Sequence, residues 1–244
     1  MSAQGDHPDT PPSIIITIDG PAGTGKSSVS RALANRLGLE FLDTGAMYRA
    51  VASIALDRSL PLDDGPAIAG AALEADLHFD WTQDPPAMMA FWKPIDDRLR
   101  DIDVNEAVSP VAALPEVRDV LVRRQRIIGQ QHPRLVTEGR DQGSIVFPDA
   151  QIKFFLDASP EVRARRRVEQ LAGLGLALVF DDVLEEIEAR DKRDATRKVG
   201  PLICPEDAAR VDTSSMSFDE VVDTLYGKVQ AHLTGSRRSQ GCSI

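Results

Sequence analysis

The stretch Gly20-Pro21-Ala22-Gly23-Thr24-Gly25-Lys26-Ser27 matches the pattern G-x-x-x-x-G-K-[ST] at every position. A β-branched run at 14–18 precedes it and apolar residues at helical spacing follow it over 27–37, so it is predicted to join a buried strand to a helix. In that context the backbone N–H groups and the helix N-terminus bind phosphates, and Lys26 reaches the β- and γ-phosphates. An ordinary glycine-rich turn is the alternative, which the two flanking elements disfavour. The loop therefore predicts a site for ATP, with the Ser27 hydroxyl as a ligand of Mg²⁺ and with Ser28 completing the nucleotide-binding residues.

The elements around this loop predict an α/β fold, with a P-loop NTPase-type parallel sheet flanked by helices. Further strands are predicted at 41–42, 135–137, 152–157 and 211–212. Helices are predicted at 46–57, 110–130 and 181–197, with another starting after an N-cap at Ser159. A last helix is predicted over 217–232, with Ser217 and Glu220 as its capping box. Strands that alternate with helices in this way favour a parallel sheet covered on both faces.

The domain boundaries follow from composition. Residues 1–12 and 235–244 are polar and are interpreted as a disordered lead-in and a disordered tail around one domain at 13–234. The stretch at about 65–107 matches neither a clean helix nor a strand, and it is interpreted as an inserted substrate-binding domain. Within it, the segment 81–94 is unusually rich in Met, Trp and Pro.

Composition and charge exclude several classes of partner. The formal net charge is −10, whereas proteins that bind many nucleic-acid phosphates are usually basic, so no nucleic-acid polymer is expected. Yet 22 of the 28 basic residues are arginine, the better fork for a small anion. The two cysteines lack the spacing of a zinc site or a disulfide framework. The longest apolar stretch, 171–180, is too short to span a bilayer and no signal segment is apparent, so we expect a cytoplasmic protein without a membrane partner.

Three arginine clusters in the second half of the chain predict a second anionic ligand. They comprise Arg140 with Asp141; Arg163, Arg165, Arg166 and Arg167; and Arg190, Arg193, Asp194 and Arg197. The first follows a predicted strand, where open parallel sheets bind ligands, and the third lies on one helix face by its spacing. The second cluster is equally consistent with a solvated face paired with Glu161 and Glu169. Arg190 and Asp194 could be a simple surface pair, but three arginines on one stripe repel each other unless an anion joins them.

Taken in order, these motifs resemble those of the bacterial cytidylate kinase family over about 14–228. The matching segments are IDGPAGTGKSS (18–28), LDTGAMYR (42–49), EVRDVLVRRQR (116–126), EGRDQGSIVFPDA (138–150), FLDASPEVRARRR (155–167) and RDKRDATR (190–197). The first is shared by many nucleotide-binding proteins, whereas the Gly-Arg-Asp segment and the last motif are much more specific.

The resemblance implies a role for each matched position. Those implied to hold the α-phosphate of CMP or dCMP are Thr44, Arg49, Arg140 and Arg197. Those implied to contact the sugar are Arg190 and Asp194, and those implied to read the cytosine edge are Ser109, Arg118 and Asp141. Those implied to lie in a lid at about 163–180 are Arg163, Arg166 and Arg167. Simpler roles stay open for some: Thr44 and Ser109 could be helix N-caps, and Arg118 could lie on the surface.

The expected reaction needs no general base, because the acceptor phosphate has a second pKa of about 6 and is largely ionised at neutral pH. Catalysis is then positioning and charge neutralisation, with Lys26, Arg140 and Arg197 as the predicted catalytic residues. The alternatives are a P-loop kinase for another small acceptor (UMP, AMP or shikimate) and a nucleotide-binding regulator without kinase activity. We expect a monomer that binds small molecules.

Overall fold

The computed structural model describes residues 13–173 and 175–240, and of 236–240 only the backbone; the predicted lead-in at 1–12 lies outside the described residues. The strands are β1 (Ile14–Asp19), β2 (Glu40–Asp43), β3 (His78–Asp80), β4 (Ala87–Ala90), β5 (Lys93–Pro94), β6 (Arg134–Gly139), β7 (Ile152–Asp157) and β8 (Ala209–Asp212). The helices are α1 (Lys26–Leu37), α2 (Thr44–Asp57), α3 (Gly65–Glu74), α4 (Ile102–Val111), α5 (Pro115–Gln131), α6 (Pro160–Ala172), α7 (Phe180–Thr196) and α8 (Phe218–Gln240).

A parallel five-stranded sheet in the order β2-β6-β1-β7-β8 forms the centre of the fold, which confirms the predicted fold class. Strand β1 lies in the middle, where Ile16 and Ile18 are completely buried, as its β-branched run predicts. Because all five strands run in the same direction, their carboxyl ends meet at one edge. The glycine-rich loop leaves β1 at that edge, and the Gly-Arg-Asp segment leaves β6 beside it.

Two hydrophobic cores cover the two faces of the sheet. Successive residues of β6 point to opposite faces, so Leu135 joins one core and Val136 the other. The core containing Val136 also contains Leu33 of α1 and Leu225 of α8. The core containing Leu135 is larger and is built from α2, α3, α4, α5 and the strands β3 and β4. Helices on both faces are therefore what buries the apolar strands.

The region at 65–107, which the sequence left without regular structure, is folded into regular elements. It contains α3, an antiparallel sheet in the order β3-β4-β5, a 3₁₀ turn at Arg98–Arg100 and the start of α4. The strands are only two to four residues long, so their alternation is too brief to be recognised. Phe91 and Trp92 join β4 to β5 with φ values of 50° and 62°, a conformation for which glycine or asparagine is the usual signal.

Two predicted helix boundaries are wrong. The helix predicted over 110–130 is two helices, because Pro110 lies in the last turn of α4 and Pro115 starts α5. Leu114 precedes a proline and adopts an extended conformation, which breaks the chain between them. Helix α8 continues to Gln240 rather than ending near His232, so the predicted loose tail from 235 overlaps this helix. Residues 241–244 lie outside the described part.

The predicted caps are confirmed at two helices. The Ser159 hydroxyl accepts a hydrogen bond from Val162 N at 3.3 Å and starts α6. Before α8, Ser217 N donates to Glu220 at 2.8 Å while Glu220 N donates to the Ser217 hydroxyl at 3.3 Å. This reciprocal pair is the capping box that the spacing predicts.

Candidate active site

The glycine-rich loop adopts a backbone that requires glycine at three positions. Gly20, Gly23 and Gly25 have φ values of 150°, 80° and 83°. A Cβ on Gly20 would lie 2.0 Å from Leu156 O, so no larger residue fits beside β7. Gly25 is the N-cap of α1 and provides no side-chain cap, which leaves the first turn of the helix to a ligand. Ser28 lies exposed in that first turn.

Lys26 is held back within its own loop. Its Nζ donates to Pro21 O at 2.7 Å and lies 3.5 Å from the Thr24 hydroxyl. Burial, followed by the charge of Arg140, lowers the pKa of Lys26 to about 7. A phosphate arriving in the loop would add its negative charge to those of Glu138 and Asp19, which already favour the charged ammonium group.

Glu138, at the end of β6, links the loop to the next strand, and the sequence analysis missed it. Its Oε1 accepts a 2.7 Å hydrogen bond from the Ser27 hydroxyl, and its backbone oxygen accepts one of 2.6 Å from the Thr44 hydroxyl. Burial, followed by the charge of Asp43, raises the pKa of Glu138 above its usual range. A carboxylate at the carboxyl end of the strand beside β1 was the available signal.

Thr44 is not the N-cap of α2. Asp43 is, because its carboxylate accepts from Ala46 N at 2.8 Å. The same carboxylate lies 3.0 Å from Nη2 of Arg49, six residues later in the chain. Thr44 is therefore free of the capping role, and its buried hydroxyl faces β6.

Arg140 and Asp194 form a partly buried ion pair between the end of β6 and α7, at 3.0 Å between Nε and Oδ2. Burial alone would raise the pKa of Asp194, but Arg140, Arg190 and Arg197 together hold it below its usual range. The alternative of a simple surface pair between Arg190 and Asp194 is wrong, because Asp194 is buried and bonded to Arg140. The buried Nε of Arg190 has no hydrogen-bond partner within the described residues.

Arg118 and Asp141 form a second, deeper pair rather than a surface contact. Both are about 2% exposed, and Nη2 of Arg118 donates to Asp141 Oδ2. Nη1 of Arg118 lies 3.3 Å from the Tyr48 hydroxyl, whereas its buried Nε has no partner among the residues described. Gly200 covers the pair, since a Cβ there would lie 2.1 Å from Arg118 Nη2. Arg197 Nε in turn donates to Gly200 O.

Ser109 lies inside α4 and faces α7, so it is not an N-cap. Its hydroxyl lies 3.4 Å from Nε of Arg193, which is itself exposed. This contact connects α4, which starts in the region at 65–107, to α7, the helix that carries Arg190 and Asp194.

The three arginines predicted for a lid have separate surroundings. Arg163 is buried and donates to Ala22 O at 3.0 Å, so it supports the glycine-rich loop directly, and it pairs with Asp191 at 2.5 Å. Arg166 donates to Thr213 O at 2.6 Å, beyond the end of β8. Arg167 contacts Gln170 on its own helix. Only Arg163 therefore contacts the loop in this structure.

In the described part of the chain, no group of three or more His, Cys, Asp or Glu side chains is placed to hold a metal ion. Over the same residues, no helix combines the length and the apolar character needed to cross a membrane.

Comparisons with known proteins identify the family of this chain. The chain matches the family model described as cytidylate kinase over residues 16–231. It is 43% identical over 220 residues to the cytidylate kinase of Pasteurella multocida (strain Pm70), covering 90% of this chain and 96% of that one. It is 44% identical over 219 residues to that of Methylococcus capsulatus, covering 89% and 97%.

Solved structures show only a distant likeness. A gluconokinase from Sinorhizobium meliloti aligns with a TM-score of 0.48 and 16% identity, covering 93% of this chain and 97% of that one. A shikimate kinase from Bacteroides thetaiotaomicron aligns with a TM-score of 0.43 and 12% identity, covering 89% and 98%. The family is shown by the sequence matches, which span nearly the whole chain: this protein belongs to the cytidylate kinase family.

Proposed function

We propose that this kinase transfers the γ-phosphoryl group of ATP to CMP or dCMP, forming ADP and CDP or dCDP. The observation that carries the proposal is the buried Arg118–Asp141 pair, in which Arg118 Nε has no partner among the described residues. A buried guanidinium N–H without an acceptor costs free energy, so a ligand that supplies an acceptor there is favoured.

Cytosine has the complementary edge. Its N4 amino group donates to a carboxylate, and its N3 and O2 accept from a guanidinium, so Asp141 and Arg118 provide one partner of each kind. Uracil carries an oxygen in place of the amino group and would set a lone pair against Asp141. Rejection through an unpaired buried polar group can exceed what a change of size achieves. Ser109, whose hydroxyl lies 3.4 Å from Nε of Arg193 in α7, is the third residue proposed to contact the base.

The phosphate of the acceptor is proposed to bind Thr44, Arg49, Arg140 and Arg197, and its sugar Arg190 and Asp194. Arg140 and Arg190 sit beside Lys26 closely enough to lower its pKa, so the acceptor and donor sites share one electrostatic environment. The acceptor oxygen is already ionised, and these residues align it with the γ-phosphate while Lys26 neutralises the charge that develops. Arg163 holds the loop rigid through Ala22 O.

Mg²⁺ is the proposed cation, and it would neutralise charge on the β- and γ-phosphates. The Ser27 hydroxyl and Glu138 carboxylate suit it, because Mg²⁺ prefers oxygen ligands and takes few from protein when phosphates are present. We further propose that the insert at about 65–107 and a lid at about 163–180 close over the nucleotides and exclude water. We also propose that the protein is a cytoplasmic monomer. Light scattering of the purified protein would measure its mass and so test the monomeric state.

An acceptor panel tests the function. Purified protein with ATP and Mg²⁺ is offered CMP, dCMP, UMP, AMP and shikimate, and ADP release is followed. We expect kcat/KM for CMP or dCMP to exceed that for UMP by at least about 100-fold. Equal rates on UMP and CMP would contradict the role of Asp141, and ATP binding without any acceptor turnover would support a regulator. Lys26→Ala is the control for the donor loop, and it should lose more than tenfold in kcat.

A further inference from the structure

Asp19 is the last residue of β1. It is not among the residues predicted to bind ATP or among those predicted to bind the acceptor. It is about 1% exposed, and its two carboxylate oxygens accept hydrogen bonds from the backbone N–H groups of Gln142 and Gly143, at 2.8 and 2.7 Å. These two residues begin the π-helical segment Gln142–Val146, which directly follows Asp141. A carboxylate of the central strand thus caps the segment that follows the neighbouring strand.

The segment is fixed from two further directions through the side chain of Gln142. Its Oε1 accepts from the Thr137 hydroxyl in β6 at 2.9 Å, and its Nε2 donates to Gln125 Oε1 in α5 at 3.1 Å. On the other side, Gly139 is paired in register with Asp19 itself. Arg140 and Asp141 are therefore a two-residue bridge between two fixed points, both of which Asp19 contacts.

The junction has little room. A Cβ on Gly143 would lie 2.8 Å from the Thr17 hydroxyl and 3.4 Å from Asp19 Oδ2, so the backbone approaches β1 as closely as only glycine allows. Displacing the carboxylate would move Gln142 and Gly143, and Arg140 and Asp141 would move with them.

Asp19 is also joined by a peptide bond to Gly20, the first residue of the phosphate-binding loop. One residue thus holds the start of the donor loop by its main chain and the acceptor segment by its side chain. In-line transfer depends on the separation and alignment of the two reacting groups, and errors of about 1 Å can cost roughly 100-fold in rate.

We infer that Asp19 is a positioning residue for phosphoryl transfer, which fixes Arg140 and Asp141 relative to the phosphate-binding loop through the N–H groups of Gln142 and Gly143. This inference rests on the proposed function, because it assigns Arg140 and Asp141 to the acceptor. Burial raises the pKa of Asp19 to about 7, whereas its two hydrogen bonds act in the opposite direction and favour the charged carboxylate.

The test compares Asp19→Asn with Asp64→Asn. Asp64 is exposed at the N-cap of α3, where it accepts from Ala67 N at 3.1 Å, so the control removes the same charge from the same kind of contact away from the site. Asparagine keeps the size of Asp19 but turns an amide N–H toward one of the two donors. We expect Asp19→Asn to raise KM for CMP at least about tenfold and to lower kcat, while the Kd for ADP, measured by calorimetry, stays within about threefold. Asp64→Asn should match the wild type in all three.

A purely structural role would lower the melting temperature of Asp19→Asn and leave KM for CMP and kcat unchanged, and that result overturns the inference. Gly143→Ala disturbs the same junction from the acceptor side, and it should reproduce the change in KM if Asp19→Asn does not fold. A folded Gly143→Ala with the wild-type KM for CMP would equally overturn it.

A double variant separates the route of the effect. Because Asp19 acts through Arg140 and Asp141, adding Asp19→Asn to Asp141→Asn should raise KM for CMP by less than about threefold, whereas independent action would multiply the two effects. If the proposed function is wrong, the wild type itself will not phosphorylate CMP, which distinguishes that result from a failure of the inference about Asp19. If the wild type uses another nucleotide, the same comparison is made with that acceptor.

Discussion

The hydroxyl of Ser27 lies 2.7 Å from Oε1 of Glu138, which ties the first turn of α1 to the carboxyl end of β6. Glu138 also accepts from Thr44 through its backbone oxygen, so this one residue contacts the predicted cation ligand and a predicted acceptor residue. Glu138 thus connects the predicted donor and acceptor halves of the site, through its carboxylate on one side and its backbone oxygen on the other.

Glu138→Gln tests whether that carboxylate supports the cation. Glutamine keeps an oxygen for Ser27 but removes the negative charge, so the concentration of Mg²⁺ needed for half-maximal activity should rise about 10- to 100-fold. The measurement is initial rate against Mg²⁺ at saturating ATP. Glu185→Gln, at an exposed position of α7, is the control and should not change that concentration. An unchanged Mg²⁺ dependence in Glu138→Gln would show that Glu138 only orders the Ser27 hydroxyl.

Arg118→Ala should destabilise the fold by about 3–5 kcal/mol, because it leaves the buried Asp141 carboxylate without its partner. Urea unfolding followed by circular dichroism measures the change. The matched control is Arg58→Ala, which removes an exposed pair with Glu74 and should cost less than about 1 kcal/mol. Equal losses in the two variants would contradict the burial of the Arg118 pair.

Gly200→Ala should raise KM for CMP at least about tenfold and leave ADP binding unchanged. Its Cβ would lie 2.1 Å from Arg118 Nη2 and 2.6 Å from Asp141 Oδ2, so the pair proposed to read the base must shift. Gly38→Ala is a close control, because Gly38 has a φ of 62° against 61° for Gly200, yet a Cβ there meets no described atom within 4 Å. Gly38→Ala should show only a backbone cost of about 1 kcal/mol in stability and normal kinetics. A normal KM for CMP in Gly200→Ala would place the base elsewhere.

The stability of the protein should depend on pH through Asp19. Burial raises its pKa to about 7 in the folded state, against an ordinary value of 3.8. Between about pH 4 and 7 the folded protein therefore keeps the proton on Asp19, whereas the unfolded chain has already released it. Stability falls as the pH rises through that window. Between pH 5 and 8 the wild type should lose about 2 kcal/mol relative to Asp19→Asn, measured by urea unfolding at each pH. Parallel stability profiles for the two proteins would contradict the raised pKa.

The two tryptophans beside the strands of the second sheet should differ in how much their truncation to alanine destabilises the protein. Trp81 is half-buried and stacks on His132 with ring centroids 3.9 Å apart, whereas Trp92 is 76% exposed. Trp81→Ala should cost about 2 kcal/mol in urea unfolding, and Trp92→Ala less than about 0.5 kcal/mol. A larger loss in Trp92→Ala would mean that the β4–β5 turn, rather than the stack on the core, holds this region.

The central fold was predictable because its signals are local. The glycine pattern, the β-branched run before it and the helical spacing after it all lie within 25 residues, and each points to the same strand-loop-helix unit. The break at Leu114 was not recognised, although a proline follows it, because the flanking apolar residues continue at helical spacing. The turn at Phe91 and Trp92 carries no turn residue at all, so tertiary packing rather than sequence decides it.

The site was predicted as a set of residue types but not as a set of contacts. Spacing placed Arg190 and Asp194 on one helix face, but it did not reveal that Asp194 turns to Arg140, 54 residues earlier in the chain. Arg163 was grouped with its neighbours, whereas its partner is the backbone of Ala22. Such contacts depend on which elements are adjacent in space, and a helical repeat does not specify that.

Three of the arginines proposed to bind the acceptor already have anionic partners: Arg49 has Asp43, Arg140 has Asp194, and Arg118 has Asp141. If the acceptor binds as proposed, its oxygens compete with protein carboxylates for these three guanidinium groups. A simple anion such as sulfate has no base to make further contacts with the site, so it should displace the carboxylates poorly. The salt dependence of CMP affinity should accordingly be shallower than the number of arginines suggests.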